Sequence, residues 1–224
     1  MAKGAYRELK AIFRRPLTEW ADKFGYFEDN ILILEGREEE LRRRFPATYQ
    51  NILSCRHHAD NRTPLAYAQD LVASWIFEDF VLDYFTSEQY RIRLCGADHE
   101  RRILAAADTE ATSDYEIVYR GQVFQMELVC DYGSFWKNIG KLHLRDNKYF
   151  DLQRERGLLL AISVKEKEFM LLDFRQEIPY TFIERHKPFG NKAACEVPIQ
   201  WRGTPLLPKT NLEGEILTWL NSER

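Results

Sequence analysis

Two acidic residues lie in neighbouring strand-like segments, on either side of a short turn. Residues 113–132 read SDYEIVYRGQVFQMELVCDY, two apolar-rich segments that flank Arg120-Gly121. A hairpin closed at that turn places Asp114 directly opposite Glu127 on one face, where paired residues have Cβ atoms roughly 4.5–5.5 Å apart. Two carboxylates that close repel each other unless a proton or a cation lies between them. Carboxylate oxygens suit a hard divalent ion such as Mg²⁺, so the hairpin predicts a metal site on a sheet.

A metal held in this way favours phosphate-cleaving chemistry. Hydrolysis of a phosphodiester requires neutralisation of the phosphate charge, an activated water and a stabilised leaving oxygen. A carboxylate-held Mg²⁺ supplies all three, because it polarises the phosphoryl oxygen and lowers the pKa of a bound water. A nearby lysine adds a point charge, or acts as a base if its pKa is depressed.

Length and composition are those of a globular protein. The chain has 224 residues, of which 45% are hydrophobic and 30% are charged, and its formal net charge is −3. This balance gives no global argument for nucleic-acid binding, so local patches decide the electrostatics. The four cysteines form no CxxC pair and the chain has no GxxxxGK[ST] loop, which disfavours a thiolate zinc site and a P-loop. Neither an apolar leader nor a membrane-spanning apolar run appears, so we expect a cytoplasmic protein without membrane association.

Helices and strands on both sides of the hairpin must position the acids. Residues 1–60 have a helical, highly charged pattern, and Thr63-Pro64 predicts the start of a helix that runs to about Phe85. Residues 158–164 form a near-continuous apolar run, typical of a strand buried on both faces. We further expect strands at 90–94, 168–174, 180–183 and 196–201, and helices at 134–156 and 212–220.

Further charged residues on the predicted helices and loops extend the candidate site. Glu78 lies in an apolar helix stripe, where a carboxylate is costly unless it is paired, hydrogen-bonded or metal-bound. A glutamate that reaches solvent or an arginine from the helix edge is the alternative. The predicted helix at 134–156 carries a basic stripe suited to contacts with a phosphate backbone, Lys137, Lys141, Arg145 and Lys148. Arg185 and Lys187 follow in the C-terminal region, with side chains suited to DNA.

With acids in its second and third strands, the chain resembles the PD-(D/E)XK nuclease superfamily over roughly residues 64–174. Asp114 in Ser-Asp-Tyr-Glu-Ile matches the family's aspartate, with Ser113 in place of the motif's proline. Glu127 in Met-Glu-Leu-Val matches the second acid. The resemblance implies that both acids bind the metal and that Glu78 adds an acid from the preceding helix. Val129 occupies the position of the family's lysine, two residues after Glu127.

The family resemblance also suggests where a replacement lysine lies. Some members take this cation from the helix that follows the third strand. Lys137 and Lys141 lie one turn apart on the helix predicted there, and Lys141 is slightly favoured. Alternatively, both lysines contact only phosphates or solvent.

The resemblance implies an α/β fold with a restriction-endonuclease-like core, a mixed β-sheet flanked by helices in the order αβββαβ. We expect a helical N-terminal extension at 1–60, the core at 61–175 and a loop- and strand-rich C-terminal extension at 176–224, in one compact domain. The C-terminal extension would serve recognition or dimerisation. The implied activity is Mg²⁺-dependent cleavage of double-stranded DNA by a homodimer of the type II restriction class. A restriction-like module without catalysis, which binds nucleic acid or protein, is an alternative, and a nuclease for RNA or single-stranded DNA is a third.

Overall fold

The computed structural model describes residues 16–54, 63–85, 87–95, 99–105, 113–206 and 208–222. The helices are α1 (Leu17–Lys23), α2 (Glu28–Glu35), α3 (Glu38–Arg44), α4 (Pro46–Ser54), α5 (Pro64–Phe85), α6 (Phe135–Ile139), α7 (Asp146–Glu155) and α8 (Thr210–Asn221). The strands are β1 (Arg91–Leu94), β2 (Tyr115–Tyr119), β3 (Gln122–Asp131), β4 (Lys141–Arg145), β5 (Leu158–Ser163), β6 (Glu168–Asp173), β7 (Thr181–His186), β8 (Lys192–Pro198) and β9 (Thr204–Pro205). Across these ranges, none of the helices combines the length and apolar character needed to cross a membrane.

The chain divides into two compact units. The first contains residues 1–81 and 96–112, and its described helices are α1 to α4 and most of α5. The second contains residues 82–95 and 113–224 and holds both sheets. The helical character predicted for residues 1–60 is confirmed over 16–54, whereas 1–15 and 55–60 lie outside the described residues. The predicted C-terminal extension contributes β7 to β9 and α8 to the second unit.

Six strands form a mixed sheet in the order β1-β2-β3-β5-β6-β9. The strands β1, β2 and β3 form an antiparallel meander, β5 runs parallel to β3, and β6 and β9 are antiparallel to their neighbours. The connection from β3 to β5 contains α6, β4 and α7. Every residue of β5 is buried, as its apolar run predicts. The predicted α/β class, with a mixed sheet and flanking helices, is confirmed.

The single helix predicted at 134–156 is wrong. The segment forms α6, the strand β4 and then α7. Gly140 ends α6 in the left-handed conformation, with φ 65°, and a Cβ there would come within 3.3 Å of the Ile199 carbonyl oxygen. In β4 the apolar residues Leu142 and Leu144 alternate with polar ones and are buried. This period of two fits a strand, and β4 joins β8 and β7 in a second, three-stranded sheet in the order β4-β8-β7.

Different elements pack against the two faces of the six-stranded sheet. On one face Phe124 packs edge-on against Trp219 of α8, with ring centroids 5.3 Å apart. On the other face, β5 and β6 pack against the β3–β5 connection and β8 in one hydrophobic cluster, which contains Trp136, Leu142, Leu144, Tyr149, Leu152, Leu159, Ala161, Leu172, Phe174, Cys195, Val197 and Ile199. Val129 also packs against this cluster. The position to which the resemblance assigns a lysine is therefore occupied by a hydrophobic packing contact.

Candidate active site

The hairpin of β2 and β3 places the two acids side by side. Tyr115 pairs with Met126, so the next pair along this antiparallel ladder is Asp114 and Glu127. Residues directly opposite each other project from the same face of a sheet. The backbone N–H of Leu128 donates to Asp114 Oδ2 at 2.8 Å and holds that carboxylate at the end of β2.

The cation beside the acid pair comes from α7. Lys148 Nζ donates to Glu127 Oε2 and lies 3.5 Å from Asp114 Oδ1. The Glu127 side chain is only 5% exposed, and those of Asp114 and Lys148 are 21% and 33% exposed. We name Asp114, Glu127 and Lys148 the acid–lysine site.

Packing of α7 against β3 brings Lys148 to the acids. Tyr149 and Leu152 are buried in the hydrophobic cluster, and the Tyr149 hydroxyl donates to the Ile178 carbonyl oxygen. Behind the helix, Gly157 passes so close to β3 that a Cβ would lie 3.0 Å from the carbonyl oxygen of Gln125. The absence of a side chain at residue 157 therefore allows α7 to lie against the strand that carries Glu127.

Electrostatics leave the acid–lysine site short of positive charge. Burial and, after it, the Asp114 carboxylate raise the pKa of Glu127 to about 8, although Lys148 acts in the opposite direction. Burial acts to lower the pKa of Lys148, but the Asp114 and Glu127 carboxylates outweigh it and hold that pKa above its usual value. The lysine is therefore protonated at neutral pH, and Glu127 retains its proton because burial and the Asp114 carboxylate together outweigh the Lys148 ammonium.

The donor set of this site fits Mg²⁺. Carboxylate oxygens are hard ligands, and Mg²⁺ in proteins is often bound through one or two carboxylates while it keeps several waters. A divalent ion between Asp114 and Glu127 would replace the proton that Glu127 otherwise carries. Neither this site nor any other part of the described ranges contains a group of three or more His, Cys, Asp and Glu side chains arranged to hold a metal.

The two lysines expected to replace the family's lysine have other partners. Lys137 Nζ lies 3.3 Å from a Glu166 carboxylate oxygen, and Lys141 Nζ donates to Glu196 at 2.6 Å. Their side chains are about half exposed, 50% and 47% respectively. Lys141 belongs to β4 and not to a helix, because the chain turns at Gly140. The lysine beside the acids is thus Lys148, which the sequence pattern assigned only to phosphate contacts.

Glu78 belongs to the first unit, and its observed partner there is an arginine. Arg101 Nη1 donates to Glu78 Oε2 at 2.8 Å, and the same guanidinium donates to both carboxylate oxygens of Asp79. The Arg101 side chain is 9% exposed. A pairing with arginine is the alternative that the sequence left open for this glutamate.

The remaining predicted nucleic-acid contacts lie on or beside the three-stranded sheet. Lys141 and Arg145 are on β4, Arg185 is on β7, and Lys187 begins the 3-10 turn that follows β7. All four are exposed. The single helical stripe predicted from the spacing of Lys137, Lys141, Arg145 and Lys148 is not formed, since 141–145 is extended.

No protein-family model, curated protein or solved structure matches this chain.

The pattern that would have identified Lys148 is the alternation in KLHLR at 141–145, followed by Asp146-Asn147. That alternation predicts a strand, and it leaves Lys148 in the first turn of a new helix. The chemistry available at the acid–lysine site is binding of a divalent cation and of the phosphate that such a cation attracts.

Proposed function

We propose that this chain is a Mg²⁺-dependent endonuclease with a restriction-endonuclease-like core, which hydrolyses phosphodiester bonds of double-stranded DNA. The observation that carries the proposal is the meeting of Asp114, Glu127 and Lys148 on one face of the sheet. Along the chain, α5, β1, β2 and β3 are followed by α6, β4 and α7 and then by β5, which is parallel to β3. Apart from the inserted α6 and β4, this order supports the αβββαβ core. Lys148 supplies the cation that Val129 cannot supply.

Asp114 and Glu127 would hold the metal, and each has a further part in the site. Bound Mg²⁺ supplies polarisation of a phosphoryl oxygen and a water of lowered pKa. Asp114 keeps its orientation because Leu128 N–H occupies its Oδ2. Glu127 must lose its proton to become a ligand, and its raised pKa makes occupancy of the site dependent on pH.

Lys148 acts as a fixed positive charge in this proposal. Because its pKa is raised, it carries a proton at neutral pH and donates hydrogen bonds, so it does not accept a proton from water as a base. Its ammonium would bind a non-bridging oxygen of the scissile phosphate and stabilise the negative charge that develops during cleavage.

Exposed basic residues on the three-stranded sheet support contact with a DNA backbone. Lys141, Arg145, Arg185 and Lys187 would bind phosphates, which orient a duplex without reading its sequence. Cleavage of both strands of a duplex needs two acid–lysine sites, and a homodimer of this chain would supply them. This arrangement corresponds to the type II restriction class.

Cleavage of supercoiled plasmid in Mg²⁺ tests the proposal. We expect the wild-type chain to cut the plasmid, and Asp114→Asn and Glu127→Gln to slow cleavage by at least about 100-fold, as loss of one charge-stabilising group does elsewhere. Lys148→Met should slow cleavage comparably, whereas the control Lys165→Met, at an exposed lysine with no part in the proposal, should cut at the wild-type rate. Circular dichroism of each variant verifies that it is folded.

Two outcomes would contradict the nuclease assignment. Cleavage that persists in both acid variants would show a different site or a contaminant. A wild-type chain that shifts labelled duplex in a gel but leaves it intact in Mg²⁺ would identify the alternative, a restriction-like binding module without catalysis.

A further inference from the structure

A second polar row lies next to the acid pair on the same face of the six-stranded sheet. Arg93 of β1 is opposite Glu116 of β2, and Glu116 is opposite Gln125 of β3. Glu116 follows Asp114 by two residues, and Gln125 precedes Glu127 by two. Residues two apart on a strand share a face and are separated by roughly 6.6 Å. We name Arg93, Glu116 and Gln125 the arginine row.

Hydrogen bonds from both sides fix Glu116 at the centre of this row. Arg93 donates to Glu116 Oε2, and Gln125 Nε2 donates to Glu116 Oε1 at 3.3 Å. The Glu116 side chain is 19% exposed, whereas that of Arg93 is 63% exposed. The carboxylate is therefore anchored against the sheet, and the guanidinium that it orients remains in solvent.

The exposed guanidinium retains the capacity to bind an anion. Arginine has five N–H donors in a planar fork that matches the oxygens of a phosphate, and Arg93 directs only its Nε and Nη2 at Glu116. An ion pair with so exposed a partner adds little to stability. The pair with Glu116 therefore orients the Arg93 guanidinium without contributing much to stability. The N–H groups on the outer side of that guanidinium can bind a second anion.

We propose that Arg93, oriented by Glu116, binds a backbone phosphate of the nucleic-acid strand next to the phosphate held at the acid–lysine site. The inference rests on the proposed nuclease function and adds the direction of the bound strand. The bound nucleic-acid strand would cross the face of the sheet from the acid pair towards β1, the β-strand at the edge of the sheet.

Arg91 provides a matched control on the same strand. It is exposed and lies on the same face of β1, one row further from the acids. Its opposite residue on β2 is Val118, which offers no carboxylate to orient a guanidinium. A general loss of positive charge would affect both arginines alike, whereas an oriented phosphate contact would belong to Arg93.

The experiment compares Arg93→Gln with Arg91→Gln in steady-state cleavage of a duplex oligonucleotide and in anisotropy titrations of the same labelled duplex without Mg²⁺. We expect Arg93→Gln to raise KM and Kd about tenfold, with kcat within about twofold of wild type, as loss of a charged hydrogen bond predicts. The slope of log Kd against log salt should fall by about 1, as for one lost phosphate contact. Arg91→Gln should change each quantity by less than about twofold, and Arg93→Lys should recover part of the affinity.

The double variant Arg93→Gln/Glu116→Gln separates a phosphate contact from the effect of a freed carboxylate. If Arg93 binds phosphate, the double variant retains the tenfold loss. Recovery of wild-type Kd in the double variant would overturn the proposal, because it would assign the loss to repulsion by Glu116. Equal losses in Arg93→Gln and Arg91→Gln would also overturn it.

The binding titration keeps this inference distinct from the nuclease proposal. A wild-type chain that binds duplex but does not cut it contradicts the nuclease function, and the comparison of Arg93 with Arg91 still decides the phosphate contact. A wild-type chain that binds no duplex overturns both proposals.

Discussion

Each unit contains a cluster of partly buried charges, and the cation is held differently in the two clusters. Each combines two carboxylates with one cation. In the first unit the acids are Glu78 and Asp79, and the cation is Arg101. In the second unit they form the acid–lysine site, with Lys148 as the cation.

The arginine satisfies both of its carboxylates at once. Arg101 donates to Glu78 at 2.8 Å and to the two oxygens of Asp79 at 2.7 and 3.1 Å. The hydroxyl of Tyr26 adds a further hydrogen bond to Asp79. A planar fork that spans two acids and cannot lose its proton leaves this cluster complete, as expected of a structural ion pair.

The lysine does not complete its cluster. Lys148 is a point charge that contacts Glu127 closely and Asp114 only at 3.5 Å, and Glu127 keeps a proton near neutral pH. Both clusters contain the same number of charges, so this number does not distinguish them. The clusters differ in the reach of the cation: the arginine donates to both of its carboxylates, whereas the lysine contacts only one of its carboxylates closely.

Removal of each cation should produce the largest contrast. We expect Arg101→Met to cost about 3–5 kcal/mol of unfolding free energy, because it removes the cation that pairs with two largely buried carboxylates. Lys148→Met should cost clearly less at pH 7, since Glu127 is already neutralised by its proton. Urea denaturation measures both, with Arg101→Lys as the control that restores charge without the fork. Equal losses in the two variants would refute the contrast.

The proton on Glu127 should couple the stability of the second unit to pH. Burial and Asp114 raise the pKa of Glu127 from 4.5 to about 8, so the folded chain binds a proton that the unfolded chain has released in that interval. The stabilisation from this group is complete below about pH 4.5 and is lost as pH rises through about 8. The melting temperature of wild type should therefore fall, relative to Glu127→Gln, between about pH 4.5 and pH 8.

Added Mg²⁺ sharpens this measurement. It should raise the melting temperature of wild type more at high pH than at low pH, because at high pH no proton must be displaced from Glu127. Glu78→Gln serves as the matched variant in the first unit. Parallel pH profiles of wild type and Glu127→Gln would contradict a raised pKa at this residue.

The exposed lysines of the second unit should show the smallest effect. Lys137→Gln and Lys141→Gln each remove one half of a solvent-exposed ion pair, with Glu166 and Glu196 respectively. We expect melting temperatures within about 2 °C of wild type, as exposed pairs contribute little. Differential scanning calorimetry at low and high salt provides the measurement. A loss of stability as large as that of Lys148→Met would show that these exposed lysines contribute as much to stability as Lys148.

Local patterns in the sequence were sufficient for much of the fold. The apolar run at 158–164 predicted the buried strand β5, and the cap at Thr63 predicted the start of α5, where Thr63 Oγ1 accepts from Ala66 N–H at 3.2 Å. The prediction of one helix at 134–156 was wrong. It relied on lysines and arginines at spacings of three and four, which are typical of a helix face. The alternation of Leu142 and Leu144 carried the stronger signal.

The sequence by itself determined which two acids face each other. A short turn and a side-chain period of two place Asp114 opposite Glu127, and both depend on hydrogen bonds between residues close in the chain. Only the tertiary structure decided which lysine joins them. β4 pairs with β8, some fifty residues away, and α7 docks on β3 where Gly157 passes the Gln125 carbonyl. These long-range contacts bring Lys148 to the acids, and no local pattern contains them.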